Sequence, residues 1–207
     1  SDWQGKFDYL NEYCRVVYLD RTEGVSSSEL RAERGKVRFG IMGNSRVAEK
    51  YLRESRCVNG LEVVGACTTW PETVAELPFL TTDYDALLAR VDAVYIVSAP
   101  EQHYAHIRHA LEQGKHVLCE APIALSQAQC RELFALAKQN GCILMDAIKT
   151  AYATAYARLI LLAKEGLLGD IYAVDATCTS LRTAMEKSWG SMYEWGPIAL
   201  LPIFNLL

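Results

Sequence analysis

A basic excess is absent from this chain. Lys and Arg number 21 against 25 Asp and Glu over 207 residues, for a net charge of −4. With no positive stripe and no long like-charge run, nothing is offered to a nucleic-acid backbone, and nucleic acid is excluded as a partner. No apolar run reaches the ~20 residues that span a bilayer. The opening Ser1-Asp2-Trp3-Gln4-Gly5-Lys6 has neither the basic start nor the apolar stretch of a signal peptide. A cytoplasmic protein that makes no membrane contact is expected. The seven cysteines (14, 57, 67, 119, 130, 142 and 178) include no C-x-x-C pair. Odd in number, scattered, and mostly set in apolar runs, they read as reduced buried thiols rather than a disulfide framework or a zinc site. What is present is 51% hydrophobic residues, enough for one full core and part of a second.

Breakers divide the chain into three parts. Residues 1–35 hold a short strand pattern, Arg15-Val16-Val17-Tyr18-Leu19, a serine-rich turn at 24–28, and a charged helix from Glu29 to about Arg34. One strand and one helix cannot bury a core alone, so this part is expected to belong to something longer. From 36 to 147, β-branched runs (37–42, 61–67, 93–97, 116–119, 142–145) alternate with helical patterns near 45–56, 83–90, 101–113 and 126–140. Short buried strands alternating with helices predict an α/β fold, a doubly wound parallel (Rossmann) sheet. Ser126 is placed to cap the last of these helices. Residues 148–207 begin with a helix from Ala151 to about Glu165. The period-two segment Asp170–Ser180 reads as a strand, and apolar residues 198–207 follow. The expectation is the start of a second α+β domain, its covering sheet missing, with self-association through the apolar end.

Gly40-x-x-Gly43-x-Ser45-x-x-Ala48 follows a buried strand and opens a helix. In the intact glycine fingerprint the first glycine makes the turn and the second admits a pyrophosphate to the helix N-terminus. Here Ser45 occupies the second position; its Cβ narrows the approach while its hydroxyl can cap the helix or touch phosphate. Gly43, Asn44, Ser45, Arg46 and Val47 are therefore the candidate pyrophosphate loop. A doubly wound domain that binds no nucleotide is the plainer alternative. Strand two ends Cys67-Thr68-Thr69-Trp70, without the Asp or Glu of an NAD site or the Arg of an NADP site. Thr68 and Thr69 are candidates for the adenosine ribose, and NAD and NADP both stay open. His103, His106 and His109 are spaced by three, so their rings drift around a helix; an exposed helix face, not a metal site, is expected. His103 also lies just past Ser98-Ala99-Pro100, at the strand edge where ligands bind in such sheets. Lys149 follows the strand at 142–145 by a few residues, and either points toward the same edge or is a solvated lysine at a helix start.

The run Ser98-Ala99-Pro100-x-x-His103, then Gly114-Lys115-His116-Val117-Leu118-Cys119-Glu120-Ala121-Pro122, resembles the Gfo/Idh/MocA oxidoreductases, the glucose–fructose oxidoreductase and inositol dehydrogenase family. Met145-Asp146-Ala147 and Glu165–Ile171 extend the resemblance toward residue 207. It implies NAD or NADP in the first domain, oxidation or reduction of a sugar, polyol or related small molecule, and a second domain that shapes the substrate pocket and makes homo-oligomer contacts. Ser98, Ala99, Pro100, His103, Glu120 and Ala121 would flank the nicotinamide half. The family's Glu-Lys-Pro stands here as Glu120-Ala121-Pro122, and its second-domain Asp and His fall at Glu194 and Ile198. Alanine cannot polarise an alcohol or carbonyl oxygen, so Lys149 and Glu194 become the candidate acid–base groups.

A second resemblance covers residues 1–34. Asp2–Leu10, Cys14–Leu19 and Arg21-Thr22-Glu23-Gly24-Val25-Ser26-Ser27-Ser28 are similar to the C-terminal end of glycerol-3-phosphate cytidylyltransferases. It implies that Arg21, Thr22, Ser26 and Ser27 would contact CTP phosphates. That family's His-x-Gly-His is absent, since no histidine precedes residue 103. The resemblance therefore implies a missing cytidylyltransferase core, and a serine-rich turn capping a linker helix describes the same residues without CTP. The expectation is a fusion fragment: tail at 1–35, dinucleotide domain at 36–147, and an incomplete substrate domain at 148–207.

Overall fold

The computed structural model describes residues 5–18, 35–178 and 190–207. The chain divides into two compact units, residues 1–36 and 37–207. In the first, a 3-10 turn spans Asp8–Glu12. The strand expected at 15–19 is not formed among the described residues 15–18, and Val17 is exposed. β-Branched residues favour an extended chain but need a neighbouring strand to become a ladder.

The second unit is built on six parallel strands: β1 (Val37–Met42), β2 (Leu61–Cys67), β3 (Leu80–Thr81), β4 (Ala93–Ile96), β5 (His116–Cys119) and β6 (Leu144–Asp146). Their order in the sheet is β3-β2-β1-β4-β5-β6. Between them run α1 (Val47–Ser55), α2 (Tyr84–Leu88), α3 (Pro100–Glu112) and α4 (Gln127–Gln139). This is a Rossmann-type doubly wound fold, with its switch point between β1 and β4. Two-residue β3 escaped the sequence reading because it is too short to show a period. Asp83 caps α2 by accepting from the Asp85 and Ala86 amides. Ser126 caps α4 through the Gln129 amide at 3.3 Å, as its position at the start of that helix suggested.

Each face of the sheet has its own core. Val94 and Ile96 of β4 pack with Leu87, Ile107, Leu111 and Leu133 on one side. Ile41, Ala48, Leu52, Ala66 and Tyr95 pack on the other. Alternation along β4 thus sends Tyr95 to the α1 side, while both neighbouring residues face α3. β4 is buried along its whole length, which is why its sequence shows no polar face.

Beyond β6 a 3-10 turn at Lys149–Tyr152 leads into α5 (Thr154–Lys164), three residues later than expected. Residues 171–178 form no strand, and Tyr172 is 90% exposed. The alternation there supplies one apolar face, but no described strand lies beside it to accept its hydrogen bonds. α6 (Gly190–Leu206) carries Pro197 and Pro202 inside it. Its Leu200 and Phe204 are exposed, as is Leu207 beyond it.

Candidate functional site

At the carboxyl edge of the sheet, the loop after β1 separates two cavities. One, of about 270 Å³, lies over the ends of β1, β2 and β4 and is lined by Gly43, Asn44, Thr68, Thr69, Ser98 and Ala99, with Gln102 and His106 at its side. The other, of about 500 Å³, is lined by Ser45, Val47, Pro100, His103, Glu120, Ala121 and Lys149, with Trp195 and Ile198 of α6. Ser98 lines both. A molecule reaching from one to the other passes the loop at 43–47 and the N-terminus of α1, where the helix dipole favours an anion, the Val47 and Ala48 amides already donating to Ser45.

That loop is held by close packing. Gly43 has φ +118°, and a Cβ there would meet the Ser98 nitrogen at 2.4 Å and its Cα at 2.6 Å. Only a bare backbone lets the β1 loop approach the end of β4 this closely. Ser45, where the fingerprint has its second glycine, turns its hydroxyl inward and accepts from the Val47 amide at 3.2 Å. The serine thus closes a local bond one residue before Arg46, the N-cap of α1, and remains part of the second cavity wall. Arg46 is exposed at the turn.

Asn44 ties the loop to β2. Its Oδ1 accepts from the Thr68 hydroxyl at 2.7 Å and the Thr69 amide at 2.9 Å, and its Nδ2 donates to Thr69 Oγ1 at 2.7 Å. Thr68 also accepts from the Trp70 amide at 3.0 Å and is buried. Its hydroxyl is committed to shaping the wall; Thr69 is exposed and keeps its hydroxyl proton for a ligand. None of the residues lining this cavity is a carboxylate or a cation.

His103 lines the second cavity, but its ring is 1% exposed, with each nitrogen 2.7 Å from a carbonyl oxygen, Ser98 O and Pro122 O. It sits between the β4 loop and the loop after β5, both ring nitrogens facing backbone carbonyls rather than the cavity. His106 Nδ1 lies 2.9 Å from Ser98 Oγ. Burial, with His103 and His109 nearby, depresses its pKa. His109 pairs instead with Asp85 at 2.5 Å, so the three rings serve three separate purposes. Among the described residues, no cluster of three or more His, Cys, Asp or Glu could hold a metal ion.

Glu120 and Lys149 line the second cavity. Lys149 Nζ donates to Glu120 Oε1 at 2.7 Å, and the Tyr95 hydroxyl donates to the same oxygen. Asp146, beside them, accepts from the Ile148 amide at 2.9 Å. Burial raises its pKa to about 6, the Glu120 charge adds to this, and the Ile148 N–H and Lys149 oppose it. Ala121 and Ile198 face this cavity as apolar walls. Sequence reasoning missed Tyr95, which looks like core in a continuous apolar strand, and Asp146 and Trp195, which carry no local pattern. The Glu194 side chain, and Arg21, Thr22, Ser26 and Ser27, lie outside the described residues.

Sheet order, switch-point crevice and helix N-terminus together define a dinucleotide-binding Rossmann domain. Residues 37–147 match the Gfo/Idh/MocA oxidoreductase family, an NAD-binding Rossmann fold; the chain belongs to that family. It is 32% identical over 163 residues to D-glucoside 3-dehydrogenase of Escherichia coli, covering 74% of this chain and 46% of that protein. It is 28% identical over 124 residues to scyllo-inositol 2-dehydrogenase (NADP(+)) IolU of Bacillus subtilis, covering 56% and 38%. Among solved structures, the 3-ketoreductase KijD10 of Actinomadura kijaniata, in complex with TDP-benzene and NADP, superposes with a TM-score of 0.57. The two are 27% identical, and the match covers 64% of this chain and 45% of that one. The chain spans less than half the length of each of these relatives.

Proposed function

We propose that this chain is the dinucleotide-binding part of an NAD(P)-linked oxidoreductase acting on a sugar, a polyol or a related small molecule. The observation that carries this reading is the placement of Lys149 and Glu120 in the cavity that opens beside the α1 N-terminus. The loop at 43–47 would hold the diphosphate at the positive end of the α1 dipole, and Thr69 the adenosine ribose, with Thr68 fixing the wall behind it. Ser98, Ala99 and Pro100 would flank the nicotinamide half, while His103 and Glu120 hold the loops that bound it. The bound nicotinamide supplies hydride acceptance or donation. The protein's part is to exclude water and to move a proton at Lys149 Nζ to or from the reacting oxygen. Glu194, with Lys149, is the proposed acid–base companion carried over from the family resemblance.

Titration of the folded chain with NADH and with NADPH tests this reading. Saturable binding of at least one is expected; binding of neither removes it. A second reading, a nucleotide-binding scaffold without turnover, is favoured by the apolar Ala121 and Ile198 in the cavity wall. Turnover of any member of a polyol panel by the native protein rules it out. Turnover only after Ala121→Lys supports it.

For the whole polypeptide we propose a cytidylyltransferase-like tail at 1–35, the dinucleotide domain at 36–147 and a substrate domain beginning at 148. The support for the tail is the resemblance at Arg21, Thr22, Ser26 and Ser27. A cytoplasmic homo-oligomer completes the proposal, the exposed Leu200 and Phe204 of α6 giving it an apolar contact. No helix among the described residues is long and apolar enough to cross a membrane.

A further inference from the structure

A lysine with its side chain 63% exposed, paired to one carboxylate, is ordinarily too weakly held to aim its ammonium at anything. The Lys149 pair differs because its acceptor is itself fixed. The Glu120 side chain is only 24% exposed, and its backbone amide donates to Ile96 O at 3.0 Å. The same Oε1 that receives Lys149 also receives the hydroxyl of Tyr95. Tyr95 is 2% exposed, in the middle of a strand buried on both faces. The Tyr51 ring lies against it at a centroid distance of 4.2 Å. Burial, and then the Glu120 charge, push the Tyr95 pKa far up, so the phenol keeps its proton and remains a donor. Tyr51 packs beside it as a partly buried ring, yet its buried hydroxyl has no hydrogen-bond partner among the described residues. The two rings stack on one another, and of their hydroxyls the Tyr95 one bonds Glu120.

We infer that Tyr95 and Glu120 are positioning residues, a buried phenol and a carboxylate that hold the Lys149 ammonium inside the cavity beside Ala121. The purpose assigned to that ammonium rests on the oxidoreductase reading; the anchoring does not. Charge-assisted bonds converging on one oxygen set both the direction and the depth of the lysine. Without the phenol, the carboxylate rotates toward solvent and the lysine follows it.

Acetylation of the full chain with an N-hydroxysuccinimide ester, followed by peptide mass spectrometry, reads the anchor without any turnover. Lys138 and Lys164, both exposed, serve as internal references. In the native protein Lys149 is expected to react several-fold more slowly than either. Tyr95→Phe and Glu120→Gln each raise the Lys149 rate at least threefold and leave the references unchanged. In the double variant the two effects do not add, because both remove one anchor. Tyr51→Phe takes a hydroxyl from the same stack and leaves the rate as it was. Native Lys149 labelling as fast as the references, or equal responses to Tyr95→Phe and Tyr51→Phe, overturns the inference. If a single variant unfolds, the native rate against the references and the remaining variant decide the matter. NADPH titration of the same samples keeps the two proposals apart. Binding with an indifferent Lys149 sinks the anchor alone, and an intact anchor with no NADH or NADPH binding sinks the oxidoreductase reading alone.

Discussion

Replacing Asp146 with asparagine should make this protein more stable at neutral pH and leave it unchanged in acid. Asp146 sits at the end of β6 with its pKa raised from 3.8 to about 6, chiefly by burial. A carboxyl whose pKa is higher folded than unfolded contributes its stability fully below about pH 3.8 and loses it as pH rises through about 6. At pH 7.5 the native chain therefore carries an ionised group that the folded state disfavours. The displacement corresponds to at most about 3 kcal/mol, and partial solvent access reduces this to roughly 1–2 kcal/mol. Asparagine removes the charge and keeps an Oδ1 for the Ile148 amide, which Asp146 accepts at 2.9 Å. It also relieves repulsion from Glu120 and gives up attraction to Lys149, both smaller effects than burial. For a chain of this size the gain is roughly 3–6 °C in Tm at pH 7.5. Thermal unfolding of both proteins from pH 4 to 8 checks it, the informative quantity being the difference between them. A difference that stays constant across pH 4–7, or a less stable variant at pH 7.5, refutes the reasoning.

Two further substitutions probe the walls of the first cavity. Gly43→Ala forces a Cβ to within 2.4 Å of the Ser98 backbone at a φ of +118°. It should cost on the order of 3 kcal/mol or more and abolish NADH and NADPH binding, checked by denaturant unfolding and titration. Asn44→Ala removes the three bonds that join the β1 loop to Thr68 and Thr69. It should cost about 1–3 kcal/mol and weaken dinucleotide binding about tenfold, whereas an unchanged affinity would mean that Asn44 does not shape the ribose wall.

Most of the sheet was legible in the order of residues alone. β-Branched runs separated by helical patterns of the right length admit only a parallel, doubly wound arrangement, and five of the six strands lie where those runs are. Caps such as Ser126 were readable because they depend on neighbours within one turn. Two expected strands, at 15–19 and 170–180, show the limit, since none forms over the described residues 15–18 and 170–178. A strand is made by its partner, and period-two alternation says nothing about whether a partner stands beside it.

The site divides along the same physical line. Gly43 and Ser45 were visible as candidates because a turn between a strand and a helix is a local event, and Ala121 because a motif position is counted along the chain. The inward turn of the Ser45 hydroxyl, the commitment of Thr68 to Asn44 and the loss of both His103 nitrogens to backbone carbonyls were not visible, since each partner arrives from a different loop. The same holds for Tyr95, an apolar-looking residue until β5 lies beside β4 and brings Glu120 over its hydroxyl. Composition and periodicity determined which family of folds this chain adopts; packing alone decided which polar atoms remain free at the edge of the sheet, because hydrogen-bond capacity is spent in three dimensions.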